Sequence, residues 1–189
     1  MDRLPQIVAL LFVLALLLLA GGLALRARQR DALLPAPAGG RSAEAAYRLA
    51  LAYDRGDRGR PVEPKRARAL YAEACEAGLL AACSNLGRLL LYGRGGPADP
   101  LRAGELFRRA CEAGLPAACT NLGVTQARLG NEEAAARAYE VACRARHARA
   151  CHYLAQRYER GRGVPKDPER AHALYLRACW LGHGPACAP

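Results

Sequence analysis

The sequence predicts an all-α chain of about four tandem helical hairpins, stapled by disulfides, behind one N-terminal transmembrane helix. Composition points to helix: alanine, leucine and arginine fill most positions after residue 25, and aromatic residues make up only 6% of the chain. Those dominant side chains lose little freedom in a helix. Cysteine spacing points to a repeat, because a C-x7-C pair occurs four times, at 75/83, 111/119, 143/151 and 179/187. The membrane segment is read from Ile7–Leu25, a stretch without a charge that is just long enough as a helix to cross a bilayer's hydrocarbon core.

In chain order, residues 1–30 hold that segment, preceded by Arg3 and followed by Arg26, Arg28 and Arg30. A signal anchor uses the full apolar stretch. A cleaved signal peptide would instead use Ile7–Leu19, with Gly22 and Ala24 at the cleavage site. The length of the stretch and the arginines after it favour the anchor. Those same arginines would hold the C-terminal side in the cytoplasm, whereas the cysteines argue for the opposite side and carry more weight. Residues 31–42, with Pro35, Pro37, Gly39 and Gly40, read as a flexible linker.

The repeat domain is expected over 43–189, with units at about 43–78, 81–114, 117–146 and 149–182 and a C-terminal stub at 183–189. The cysteine pairs recur at periods of 36, 32 and 36 residues, lengths that indicate stacked helix pairs. The second helix of each unit ends Leu70-Tyr71-x-x-Ala74-Cys75, Leu106-Phe107-x-x-Ala110-Cys111, Ala138-Tyr139-x-x-Ala142-Cys143 and Leu174-Tyr175-x-x-Ala178-Cys179. Gly78, Gly114 and Gly182 follow three residues later and suit the left-handed residue that closes a helix. The next first helix opens at once, with Ala82-Cys83-x-x-Leu86-Gly87, Ala118-Cys119-x-x-Leu122-Gly123 and Ala150-Cys151-x-x-Leu154-Ala155; Ala46-x-x-Leu49-Ala50 is its counterpart in the first unit. Small residues there are expected to let two helix backbones approach closely. Within the units, Asp99-Pro100 and Asp167-Pro168 combine an N-cap with proline at the first helical position, and Glu63-Pro64 imitates them. The third unit is four residues shorter, with Gly130-Asn131 as its whole turn and Asn131 as the expected cap.

Cysteines eight apart across such a junction fall in the last turn of one helix and the first turn of the next. A tight reversal sets those turns side by side, within disulfide range. The expected bridges are Cys75–Cys83, Cys111–Cys119, Cys143–Cys151 and Cys179–Cys187. The last cysteine is followed by only two residues, so bridging back to Cys179 is its expected role. Each bridge closes a nine-residue loop, for which chain entropy gives about 2–3 kcal/mol. Structural zinc sites use closer spacings, and no C-x-x-C or C-x-x-C-H occurs. Buried free thiols are the competing reading. Disulfides imply an oxidising compartment.

The unit A-x-x-L-G-x-x-Y/L-x-x-G-x-G-V-x-x-D-x-x-x-A-x-x-L-Y-x-x-A-C-x-x-G resembles the Sel1-like repeat, a relative of the tetratricopeptide repeat. Its C-x7-C pairs make it similar to the Helicobacter cysteine-rich protein branch. The third unit departs from the pattern, lacking G-x-G and carrying Arg146-His147 where glycine is usual. The resemblance covers about residues 43 to 187. It implies a right-handed α/α superhelical solenoid with disulfides joining adjacent repeats, and a role as an adaptor for protein complexes. Because some cysteine-rich members are catalogued as penicillin-binding proteins or β-lactamases, it also implies weak hydrolase activity as the alternative function.

The residues argue against that alternative. A serine β-lactamase needs a lysine one helical turn after its serine, yet Ala45 and Gly87 follow Ser42 and Ser84. His147, His152, His172 and His183 are too dispersed for a metal enzyme; His147 and His152 read as surface or cap histidines. The expected function is therefore a non-catalytic, monomeric scaffold of the cell envelope, without cofactor or metal, binding an unknown protein or peptide on its concave face. Tyr47 and Tyr153 are the candidate partner-binding residues, although core is the commoner role for each taken singly; Tyr53 and Tyr158 read as core between repeats. The net charge of +11 is carried almost wholly by arginine, with Lys65 and Lys166 the only lysines. It reads as a solvated outer face, or as attraction to anionic lipid, cell-wall polymer or an acidic partner. No nucleic-acid motif accompanies it. The repeat domain is expected in the periplasm or another extracytoplasmic space, anchored to the membrane or secreted after cleavage.

Overall fold

The structure, a computed structural model, describes residues 41–57 and 59–187. The expected transmembrane helix at 1–30 and the linker up to residue 40 lie outside the described residues. Within them no helix is long and apolar enough to cross a membrane.

The described chain is an all-helical solenoid of eight α-helices: α1 Ala43–Arg55, α2 Pro64–Glu76, α3 Leu80–Leu91, α4 Pro100–Glu112, α5 Pro116–Arg128, α6 Glu132–Arg144, α7 Ala148–Arg160 and α8 Pro168–Trp180. A 3-10 turn, Gly184–Ala186, comes after them. Each helix packs on its neighbours in the chain, and α3 also touches α5. The first helices of the hairpins (α1, α3, α5, α7) thus form one layer and the second helices (α2, α4, α6, α8) the other. The core runs between the layers in two clusters. One is built on Tyr71, Leu89, Leu90 and Phe107, the other on Tyr139, Leu154 and Tyr158, and the partly buried Val124 packs against both.

Asp99 and Asp167 cap α4 and α8, accepting from Arg102 N at 3.0 Å and Arg170 N at 2.9 Å. Two expected caps differ. Glu63 makes no capping bond and instead pairs with Arg66 at 2.9 Å, since its longer side chain reaches a cation more readily than its own helix's amides. Asn131 does not cap α6 either; its amide donates to Gln126 Oε1 at 2.9 Å across the short turn.

All four C-x7-C pairs are bonded in the structure, with Cα–Cα distances of 4.6 Å for the first three and 4.8 Å for Cys179–Cys187. The first three tie the end of a second helix to the start of the next hairpin, and the fourth ties α8 to the residue after the 3-10 turn. At the reversal the chain needs a left-handed residue, and Gly78, Gly114 and Gly182 supply it at φ 92°, 86° and 92°. Arg146 fills the same place in the third unit at φ 62°.

At Gly87 and Gly123 of the first helices the missing side chain makes room for a facing ring. A Cβ on Gly87 would meet Phe107 Cε1 at 2.8 Å, and one on Gly123 would meet Tyr139 Cε1 at 2.4 Å. The aromatic residue of each of these second helices lies against the glycine of its own hairpin partner, where any side chain would displace it.

Candidate functional site

The residue before the recurring leucine of each first helix is Arg48, Asn85, Asn121 and Tyr153. Because the helices repeat side by side, these four positions line one face of the first-helix layer. Asn85 donates to the Tyr47 hydroxyl at 3.4 Å, linking α3 to α1, and Arg149 reaches Asn121 Oδ1 at 3.5 Å.

The two candidate tyrosines lie in different parts of this surface, and the structure does not bring them together. Tyr47 is half-buried, its ring centroid 5.9 Å from that of Tyr71. Tyr153 is half-buried on Tyr139, at 5.3 Å between centroids. Each therefore has one side in the core and one edge outward, so core and groove are not exclusive roles. Tyr158 is buried, and Tyr53 is half-buried beneath Arg60 and Arg66.

Two charged networks flank this face, and neither is legible as a motif because each joins different repeats. At the junction of the first two hairpins the Asp54 side chain is only 3% exposed. It is paired with Arg88, and with Arg94 at 2.9 Å, and it accepts from the Tyr71 hydroxyl at 3.4 Å. Burial, then the neighbouring Asp54 carboxylate, holds the Tyr71 phenol well above the usual tyrosine range. At the junction of the last two hairpins, Glu132 at the start of α6 pairs with Arg157 and, at 3.4 Å, with Arg162. Arg157 also lies over the Tyr139 ring, 5.7 Å from its centroid. Burial pushes the Tyr139 phenol up to about 12, with Arg157 opposing the shift. Above this ring, between α5 and α7, opens a cavity of about 300 Å3.

The histidines take other roles. His147 stands at the start of α7 with Nδ1 2.8 Å from Thr120 Oγ1, a bond across the junction rather than to its own helix. His152 contacts the rings of Tyr175 and His183, at 5.3 and 4.9 Å. Burial lowers the basicity of both His147 and His152. Among the described residues no three His, Cys, Asp or Glu side chains are grouped to hold a metal. Ser42 caps α1 through Ala45 N, and Ser84 is buried.

Solved structures share this architecture. A Sel1 repeat protein from Oxalobacter formigenes is 28% identical, with a TM-score of 0.68, over 77% of this chain and 60% of that one. Helicobacter pylori cysteine rich protein B is 25% identical, with a TM-score of 0.51, over 67% of this chain and 93% of that one. A protective antigen present in uropathogenic Escherichia coli strains shares the fold at a TM-score of 0.68 and 24% identity, over 76% of this chain and 32% of that one. The chain thus spans 60% of the Oxalobacter protein and about a third of the E. coli antigen. No curated protein matches it at a significant level. Residues 43–79, 80–115 and 148–183 each match the Sel1 repeat, and the gap between them falls on the hairpin with the shortened turn. With matches over more than half its length, the chain belongs to the Sel1 repeat family.

Proposed function

We propose that the chain is a non-catalytic interaction scaffold of the cell envelope that binds a protein or peptide along the face of α1, α3, α5 and α7. The observation that carries this reading is the row of Arg48, Asn85, Asn121 and Tyr153, with Tyr47 joined to it through Asn85. Half-buried aromatic and amide side chains on rigid, disulfide-tied helices offer flat contact area and hydrogen bonds at little entropic cost. The family supports protein interaction as the mode of action, and stacked helical hairpins present extended surfaces of this kind. The repeat domain works outside the cytoplasm, carried by the apolar segment at residues 1–30 as an anchor or export signal. All eight cysteines are paired, which supports an oxidising compartment.

Site-specific photo-crosslinking in cells tests the reading. A photoreactive residue at Asn121 or Tyr153 should give a discrete adduct, whereas one at Arg108 on the exposed side of α4 should not. Equal adducts from both faces, or none from the first helices, would refute it. Labelling with a membrane-impermeant reagent reports the compartment independently.

A further inference from the structure

The three hairpin junctions use equivalent positions differently, and the difference leaves the third with its tyrosine and arginines but with alanine where the first has Asp54. At the first junction the residue next to the end of α1 is Asp54. Its carboxylate sits between the Tyr71 hydroxyl below and Arg88 and Arg94 above, closed off from water. At the second, the equivalent residues are Leu91, Phe107 and Val124, all apolar and packed in the core. At the third the recognition elements return: Tyr139 stands where Tyr71 stands, Arg162 where Arg94 stands, and Arg157 one residue from the place of Arg88. The position of Asp54, however, is Ala127. The cavity of about 300 Å3 lies there, lined by Ala127, Tyr139, Tyr153, Arg128, Arg157 and Arg162.

The charge balance of this cavity is uneven. Glu132 approaches from the turn and serves Arg157 and Arg162 together, but Arg162 is 56% exposed and 3.4 Å away. Arg128 has no carboxylate partner among the described residues; it stacks on the Tyr92 ring at 4.5 Å, which holds its guanidinium in place. Three guanidinium groups thus face one carboxylate. Tyr139, unlike Tyr71, donates to no carboxylate among the described residues.

We infer that the cavity between α5 and α7 takes a carboxylate from an acidic peptide segment of the partner, occupying the place that Asp54 fills internally at the first junction. The partner's Asp or Glu side chain, or its terminal carboxylate, accepts from the Tyr139 hydroxyl and lies between Arg128 and Arg162, while its neighbouring apolar side chain rests on Tyr153. The inference rests on the first-helix face being the binding surface and gives that face a chemical preference.

The test is fluorescence anisotropy of the full chain in detergent micelles with three labelled decapeptides of identical sequence except for glutamate, glutamine or lysine at two positions. A charge-assisted, guanidinium-bound carboxylate should favour the glutamate peptide over its glutamine counterpart by about tenfold, with the lysine peptide weakest. Raising salt should shrink the preference. Ala127→Asp, which installs an internal carboxylate as at the first junction, should abolish the preference while far-UV circular dichroism stays unchanged. Arg128→Gln, an exposed and conservative change, should weaken the glutamate peptide alone. Equal binding of the glutamate and glutamine peptides would overturn the inference. So would an undiminished preference in folded Ala127→Asp, or in Arg128→Gln should Ala127→Asp not fold. Should all three peptides bind equally and Tyr153→Ala remove them, the face still binds and only the carboxylate preference falls. Equal binding of all three that Tyr153→Ala leaves untouched refutes the binding face as well.

Discussion

Gly123→Ala and Gly104→Ala should shift stability in opposite directions, although both add one methyl group to a helix of the same array. At Gly123 the new Cβ would stand 2.4 Å from Tyr139 Cε1, more than 1 Å inside ordinary contact at roughly 3.5–4.0 Å. Tyr139 is 2% exposed and is held between Tyr153 and Arg157, so the ring cannot swing aside. Overpacking of a rigid core costs about 1–3 kcal/mol, and the steep overlap places this site at the upper end. Exchanging glycine for alanine in a helix returns about 1 kcal/mol, leaving a net loss of about 1–2 kcal/mol. At Gly104 the same Cβ meets only Thr125 Cγ2 at 3.5 Å, an ordinary contact. There the helix term stands alone, and Gly104→Ala should gain up to about 1 kcal/mol. Urea unfolding of the oxidised protein, followed by far-UV circular dichroism, reads both as midpoint shifts at constant slope. Gly123→Ala at or above the stability of the parent would refute the view that these glycines exist for ring packing.

Other measurements probe the same features. Asp54→Asn keeps the side chain's size but leaves Arg88 and Arg94 without their counter-charge. Since both arginines are about a third exposed and can turn to water, thermal unfolding should show a loss of only about 1–2 kcal/mol; no loss would mean the network adds nothing to stability. Cys187 is exposed and Cys179 half-buried, whereas each of the other pairs holds at least one cysteine that is at most 2% exposed. Mild reduction followed by alkylation and peptide mapping should therefore open Cys179–Cys187 first, and another pair opening earlier would contradict this. Burial lowers the basicity of His147 and His152 below the ordinary imidazole value of 6.5, so below that pH the unfolded chain binds more protons than the folded one. Stability should fall as pH drops from about 7 toward 5, and His147→Gln should flatten the slope. A pH-independent urea midpoint over that range would show that the two rings protonate freely in the folded state.

Helix positions and the turn chemistry at Asp99 and Asp167 were legible because they are local: a cap and the amide it satisfies lie three residues apart. The cysteine pairs were legible for the same reason, as both members fall within one tight reversal. Glu63 and Asn131 look like caps in sequence, but Arg66 and Gln126 compete for their side chains. The glycines after the recurring leucines stand out in the repeat, yet the groups they accommodate, Phe107 and Tyr139, come from the facing helix. Nothing in the local pattern distinguishes Tyr139, Arg157 and Arg162 from other core tyrosines and surface arginines, so their shared site has no signature in sequence.

The helical repeat, its period, its reversals and the family can all be read from the order of residues alone. All of these depend on side-chain preferences and spacings acting over short stretches of chain. It takes the stacking of the hairpins to enclose Asp54 with arginines from the next hairpin, to place its counterpart Ala127 in an open depression, and to have Tyr47 and Tyr153 each bury one side and present the other. Those outcomes depend on which residues of different repeats are brought to the same place. That placement is a property of how the hairpins stack, and no short stretch of chain encodes it.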